Sequence, residues 1–304
     1  MRGEIKAFSL DVTSRCNLRC AHCYNESGAD TADSLTHEEL LRTAGEIAEF
    51  HPESVCLCGG EPLMLEGILE IMDVLRTGTG SLSMVSNGLR ITQETARELK
   101  DHGLDAIQIS LDGAFAWQHD SLRGRRGAFA GAVRAVRVLK EAGIRQVFVS
   151  MIPNILNYGT MEAYFRLCVS LDISLLKFMP FMPMGRGKSV GRSLMLDEEE
   201  MFRFQRQLSG LKELYGDHLT VEWDDPVRSA RFLCERLQSG LPPLILCVTA
   251  GGDVRTDVYA PVRLGNVREG SLTEICARGM EEARREGRFL EILRRLHGME
   301  DLGQ

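Results

Sequence analysis

Cys16-Asn17-Leu18-Arg19-Cys20-Ala21-His22-Cys23-Tyr24 is the stretch on which the reading of this chain turns. Three thiols in a C-x3-C-x2-C run can converge on one metal centre from a short loop. A structural zinc site wants four ligands in closed tetrahedral geometry, and no fourth cysteine stands nearby. His22 abuts Cys23, so the two side chains are poorly placed to turn onto one ion. Thiolates in a reducing setting suit iron–sulfur clusters, whose four-iron form takes four ligands. Three cysteines therefore leave one iron open to something that is not protein.

Working outward, residues 5–180 read as six strand–helix units. Apolar strand patterns fall at 5–12, 54–58, 81–86, 105–111, 146–152 and 173–179. Helical patterns lie between them, near 36–50, 64–76, 92–102, 128–142 and 159–171, and Gly88, Gly103, Gly113 and Gly143 punctuate the joins. Strands alternating with helices imply a parallel sheet with right-handed crossovers. In such sheets the chemistry lies beyond the carboxyl ends of the strands. Each polar motif follows a strand: the cysteine loop, then Gly59-Gly60-Glu61-Pro62, then Ser86-Asn87-Gly88, then Ser110-Leu111-Asp112-Gly113.

With C-x3-C-x2-C beside an aromatic residue and Gly59-Gly60-Glu61-Pro62 after the next βα unit, the chain resembles the radical S-adenosylmethionine (radical SAM) enzymes. The resemblance implies an α/β fold, a partial (β/α)6 TIM-type barrel. It implies that Cys16, Cys20 and Cys23 hold a 4Fe–4S cluster whose fourth iron binds the amino and carboxylate groups of SAM. One electron then cleaves SAM to methionine and a 5′-deoxyadenosyl radical, which takes a hydrogen atom from substrate. Tyr24, Gly59, Gly60, Glu61, Ser86, Asn87, Ser110, Asp112 and Arg123 are the SAM-contact candidates it marks. The glycines admit close backbone approach to a ligand. Ser86, Asn87, Ser110 and Asp112 equally fit strand-end turns. His119-Asp120-Ser121-Leu122-Arg123-Gly124 looks like the HD…RG stretch of peptide-maturing and haem-modifying members, where the Arg can pair with the SAM carboxylate. His119 reads as structural. Asn154 and Asn157 suit either SAM contact or helix capping. Cys58 faces the SAM site or is a small buried hydrophobe, the reading favoured here, while Cys56 and Cys168 read as core. The apolar Phe178–Met184 edge either covers adenine or packs, and Gly185-Arg186-Gly187 reads as a hairpin resembling the family's P-x-G-R-G exit.

These readings divide the chain at 1–185, the barrel, and 186–304, a small C-terminal α+β extension. The second part shows a helix near 197–215, a strand near 218–223, and a hairpin of 244–249 and 253–259 around Ala250-Gly251-Gly252. Ser271 and Glu274 form a capping-box pattern. The extension resembles the SPASM/twitch tail of radical SAM enzymes, but Asp257 stands where that pattern has a cluster cysteine. Cys234, Cys247 and Cys276 fall on apolar helix or strand positions, so the expectation is one 4Fe–4S cluster and no auxiliary one.

The chain has 304 residues, 44% hydrophobic and 26% charged, with a formal net charge of −7. This is the composition of a globular protein and argues against a nucleic-acid or membrane-surface partner. Nine unevenly spaced cysteines and no signal or membrane-spanning stretch point to the cytoplasm. The expected activity is hydrogen abstraction in modification of a peptide or amino-acid-derived substrate, with a flavodoxin- or ferredoxin-type one-electron donor. Against a peptide substrate stands the start of the chain at its first strand, which leaves no room for an N-terminal leader-binding domain unless a separate protein supplies it. The alternative substrate is a small metabolite such as a sugar, nucleoside or tetrapyrrole. A catalytically silent SAM or iron–sulfur protein is the third reading, and two intact signatures count against it.

Overall fold

The computed structural model describes residues 4–28, 34–257 and 262–295. In chain order the elements are β1 (Ala7–Asp11), α1 (His37–Ala48), β2 (Ser54–Cys58), α2 (Ile68–Arg76), β3 (Ser81–Ser86), α3 (Gln93–Asp101) and β4 (Ala106–Ser110). Next come α4 (Ala116–Arg123), α5 (Ala128–Glu141), β5 (Gln146–Met151), α6 (Met161–Ser170) and β6 (Leu175–Phe178). The remainder is α7 (Gly187–Leu194), α8 (Glu198–Tyr215), β7 (Thr220–Trp223), α9 (Pro226–Gln238), β8 (Ile245–Val248), β9 (Asp253–Arg255), β10 (Arg263–Asn266), α10 (Leu272–Arg285) and α11 (Arg288–Arg295).

Among the described residues ten strands form one sheet, ordered β10-β9-β8-β1-β2-β3-β4-β5-β6-β7. Strands β1 to β8 run parallel, and β9 and β10 are antiparallel additions at one edge. The β1–β6 units are the expected partial barrel. The C-terminal residues supply both edges of the same sheet, since β7 pairs with β6 and β8 pairs with β1.

Period-two alternation decides which side chains meet the helices. Phe8 and Leu10, Val55 and Leu57, Leu82 and Met84, Ile107 and Ile109, and Val149 and Met151 are buried against the outer helices. Each such side chain stabilises the fold by roughly 1.5–3 kcal/mol. The alternate positions, among them Ser9, Asp11, Cys56, Cys58, Gln108, Ser110, Ser150 and Lys177, line the inner face. An aromatic cluster of Phe165, Phe178, Phe204, Tyr215 and Trp223 joins α6, β6, α8 and β7.

Several expectations change. The 64–76 helix starts at Ile68, after a 3₁₀ turn over Pro62–Met64. Helix α4 was not foreseen, because it buries Gln118, His119 and Arg123 and so lacks an apolar stripe. Gly185-Arg186-Gly187 is no hairpin: Gly185 takes φ +50° and α7 starts at Gly187. The β8–β9 hairpin and the Ser271–Glu274 capping box form as expected. Residues of the anticipated 253–259 strand from 258 onward fall outside the described residues.

Helix α10 lies against the β10 backbone at Gly279, where a Cβ would stand 2.1 Å from the Leu264 carbonyl oxygen. Alanine gains about 1 kcal/mol over glycine in a helix interior. Backbone overlap of this depth forces a shift costing ~1–3 kcal/mol, and it wins. The Gly279→Ala variant should therefore unfold at lower urea concentration than the parent. An equal or higher midpoint would mean that α10 does not pack on β10 in this way.

Candidate active site

The cysteine loop has little regular structure, so its backbone must find partners elsewhere. Three remote segments supply them. Beyond β2, the Gly60 amide donates to the Thr13 carbonyl at 2.7 Å and the Glu61 amide to Arg15 at 2.9 Å, extending the β1–β2 ladder into the loop. From α4, the Leu122 carbonyl accepts from the Ala21 amide at 2.9 Å. After β6, Arg186 donates from Nε to the Cys20 carbonyl at 3.0 Å and from Nη1 to the Ser27 carbonyl at 2.8 Å. The Arg186 amide donates to the Cys23 carbonyl at 3.0 Å.

The glycines of Gly59-Gly60 serve this approach. A Cβ on Gly60 would stand 2.1 Å from the Arg15 carbonyl oxygen, and one on Gly59, at φ +119°, 2.4 Å from that of Thr13. The close neighbour on this side is the cysteine loop itself.

Two of the three sulfurs face side-chain N–H donors. Arg123 reaches Cys20 Sγ from Nη1 at 3.8 Å, and Asn87 Nδ2 lies 4.0 Å from Cys16 Sγ. Cys20 is buried, and Cys16 and Cys23 are partly exposed. Burial pushes the Cys16 and Cys20 thiols up, and the Arg123 charge works against this at Cys20. Among the described residues no three Cys, His, Asp or Glu side chains converge on a point that would hold a single ion. Three thiols on one loop, met by a guanidinium and an amide, fit a larger anionic group that shares them, such as a four-iron cluster.

Asp112 anchors this arrangement. Its carboxylate, 1% exposed, accepts from Arg123 Nε at 2.5 Å and from the Ile152 amide at 3.2 Å. Burial acts to raise its pKa, but the charge and hydrogen bond of Arg123, together with the neighbouring His22 and His119, outweigh it and hold the carboxyl at about 2. The Asp112 amide donates to His119 Nδ1 at 3.0 Å. His119 is thus a neutral acceptor, with burial lowering it to about 4. Burial likewise lowers His22 to about 3, and its Nδ1 has no protein partner.

Glu61 is 1% exposed and accepts from Ser86 Oγ and the Asn87 amide, both at 2.8 Å. Burial raises its pKa against these bonds. Asn87 also donates to Asn17 Oδ1 at 2.7 Å. Glu61, Ser86 and Asn87 therefore hold one another and the start of the cysteine loop. Arg123, expected on the SAM carboxylate, spends Nε on Asp112 and one Nη on Cys20. Asn154 and Asn157 close the turn after β5, with Asn157 donating to the Asp112 carbonyl at 2.8 Å. Ser110 lies in register with Ser150 on the inner face, and the Tyr24 side chain is 42% exposed. Cys168, Cys234, Cys247 and Cys276 are buried as expected. Cys56 and Cys58 are not core, since both are partly exposed.

Residues 10–168 match the family model of the radical SAM superfamily. The chain belongs to that superfamily. It is 28% identical over 268 residues to the sporulation killing factor maturation protein SkfB of Bacillus subtilis, covering 88% of this chain and 63% of the relative. It is 32% identical over 289 residues to Fe-coproporphyrin III synthase of Methanosarcina barkeri, covering 87% and 72%. Streptococcus suis SuiB bound to its precursor peptide SuiA superposes with a TM-score of 0.73 at 12% identity, over 97% of this chain and 70% of SuiB. That last likeness concerns the fold. This radical SAM chain spans less than two thirds of SkfB.

Sequence reasoning passed over Asp11, Asn25 and the role of Arg186. Asp11 ends β1 on the inner face, beside the cysteine loop, and accepts from Asn25 Nδ2 at 3.3 Å. A carboxylate ending an apolar strand was the available signal. Burial raises Asp11 from 3.8 to about 6, against the Asn25 hydrogen bond and the Arg255 charge. Because the folded pKa is the higher, its stabilising contribution is present below about pH 4 and lost as pH rises through about 6. Asp11→Asn should therefore stabilise the protein at pH 8, by on the order of 3 kcal/mol, and not at pH 4. Denaturation midpoints at the two pH values check this, and equal effects at both would contradict the buried-charge account.

Proposed function

We propose that this radical SAM enzyme abstracts a hydrogen atom from a peptide or amino-acid-derived substrate. The observation that carries the reading is the cysteine loop: three thiols at the carboxyl mouth of a parallel sheet, fixed by three remote segments and faced by a buried cation. When bound, the 4Fe–4S cluster and SAM supply one-electron cleavage of a carbon–sulfur bond and a carbon-centred oxidant. Cys16, Cys20 and Cys23 would hold the cluster. Arg123, kept cationic and fixed by Asp112, balances the charge on Cys20. Gly59 to Glu61, Arg186 and α4 keep the loop in place. Tyr24, Ser110 and the free edge of Gly59-Gly60 remain the proposed SAM contacts, with residues 1–185 as the catalytic part and 186–304 a SPASM/twitch-like cover carrying no auxiliary cluster.

The peptide reading is supported by an apolar cavity of about 200 Å³ at the ends of β5 to β7. It is lined by Phe181, Met195, Leu196, Met201, Trp223 and Val227 among others, and Phe181 also packs on His22. The volume is below the ~300–1,000 Å³ usual for a small-molecule pocket, and it suits one apolar side chain better than a tetrapyrrole. SuiB, of the same fold, is described with a precursor peptide. The electron donor would be a flavodoxin or ferredoxin. No described helix is long and apolar enough to cross a membrane, and we place the enzyme in the cytoplasm.

Anaerobically reconstituted protein should carry about four irons per chain and form 5′-deoxyadenosine from SAM under dithionite. Replacing Cys16, Cys20 and Cys23 together with Ala should abolish both. About eight irons would overturn the single-cluster reading, and 5′-deoxyadenosine from the triple variant would overturn the site. Mass spectrometry of candidate precursor peptides, with tetrapyrroles as the competing panel, tests the substrate class: SAM-dependent change confined to the tetrapyrroles would refute the peptide reading.

A further inference from the structure

Strand β2 turns two thiols onto the inner face. Cys56 Sγ and Cys58 Sγ stand 3.4 Å apart, and both residues are partly exposed. Cys56 is in register with Ser9 and Ser83, and Cys58 with Asp11, the last residue of β1 before the cysteine loop. Cys247 is two strands away, also in register with Ser9. At about 4.8 Å per strand that separation is too great for a disulfide, so Cys56 and Cys58 have each other as partners.

We propose that Cys56 and Cys58 are a redox-active dithiol on the wall of the reaction chamber, with Cys56 the attacking sulfur and Cys58 the resolving one, open to exchange with small-molecule disulfides. That this wall bounds a reaction chamber rests on the proposed function; the exchange chemistry does not. Two features differentiate the sulfurs. Cys56 shares a hydrogen bond with Cys58 and feels Ser83 and the Lys177 ammonium, which together hold its thiol below the ordinary range against desolvation. Cys58, through its hydrogen bond with Cys56 and its burial, is pushed well above that range, and Asp11, in register beside it, adds to this. One sulfur is thus disposed to ionise and attack, while its neighbour keeps its proton.

The geometry favours a reversible bond. Residues i and i+2 of a strand have Cα atoms about 6.6–6.8 Å apart, at the upper edge of what a disulfide spans. The sulfurs must close by about 1.4 Å to reach bonding distance. A bond made at that limit is readily reduced. In the exchange, Cys56 attacks glutathione disulfide, forming a mixed disulfide and releasing one glutathione thiolate. Cys58 then loses its proton and displaces the second, leaving the Cys56–Cys58 bond. The protein loses two electrons and the reagent gains them. Reduced, the pair presents S–H to the space a substrate radical would occupy; oxidised, it withdraws it.

Cluster-loaded protein is exposed anaerobically to glutathione disulfide, quenched by alkylation and mapped by peptide mass spectrometry. The proposal expects a Cys56–Cys58 disulfide that dithiothreitol reverses. Cys58→Ser should accumulate glutathione on Cys56, and Cys56→Ser should leave Cys58 unmodified over the same time. Because thiols are read, failure here is separate from failure to cleave SAM. Modification of the pair no faster than that of the buried Cys168, Cys234 and Cys276 would overturn the proposal, as would equal labelling of Cys58 when Cys56 is absent.

Discussion

Sulfurs that carry negative charge at the end of a parallel sheet need a buried cation, and Arg123 is placed to be one. A guanidinium taken out of water is costly unless paired. Asp112 pairs with it at 2.5 Å, and the Ile152 amide and the turn closed by Asn157 hold Asp112 in turn. The pair crosses from the end of β4 to the end of α4 and reaches the loop after β1 at Cys20. The ends of three separate βα units are thereby fixed relative to one another. The strength of the pair matters less than its position, since the net worth of a buried ion pair is small after desolvation.

The cysteine loop is correspondingly passive. Its carbonyls and amides are satisfied by Gly60 and Glu61 after β2, by Leu122 on α4 and by Arg186 after β6. Each motif that looked like a ligand contact in the sequence has this second task. Glu61 illustrates it: its carboxylate accepts from Ser86 and Asn87, joining the β2 and β3 ends beneath the loop. A site built this way holds its sulfurs through packing and backbone hydrogen bonds, so its geometry does not depend on the loop's own conformational preference.

The strands and outer helices were legible because one face of each is apolar at the proper period. Helix α4 escaped notice for the opposite reason: Gln118, His119 and Arg123 are polar yet buried, each serving a specific partner. Such residues are recognisable only once those partners are in place. The three cysteines were legible from spacing, but Arg186 was not, because its targets are carbonyls more than 150 residues away along the chain. Gly59 and Gly60 are legible as sites of close approach, and one neighbour that approaches them is the cysteine loop itself. The inner face was hardest to read, because Asp11, Cys56, Cys58 and Lys177 alternate with core residues and look like strand composition until the register is known.

A three-thiol loop would leave one iron of a four-iron cluster open to SAM. Low-temperature electron paramagnetic resonance of the reconstituted, dithionite-reduced protein, with and without SAM, addresses it most directly. If the open iron takes the amino and carboxylate groups, SAM must change the g-values of the cluster signal, and Asp112→Asn should alter that response by freeing Arg123. A cluster spectrum that SAM leaves unchanged would contradict the account.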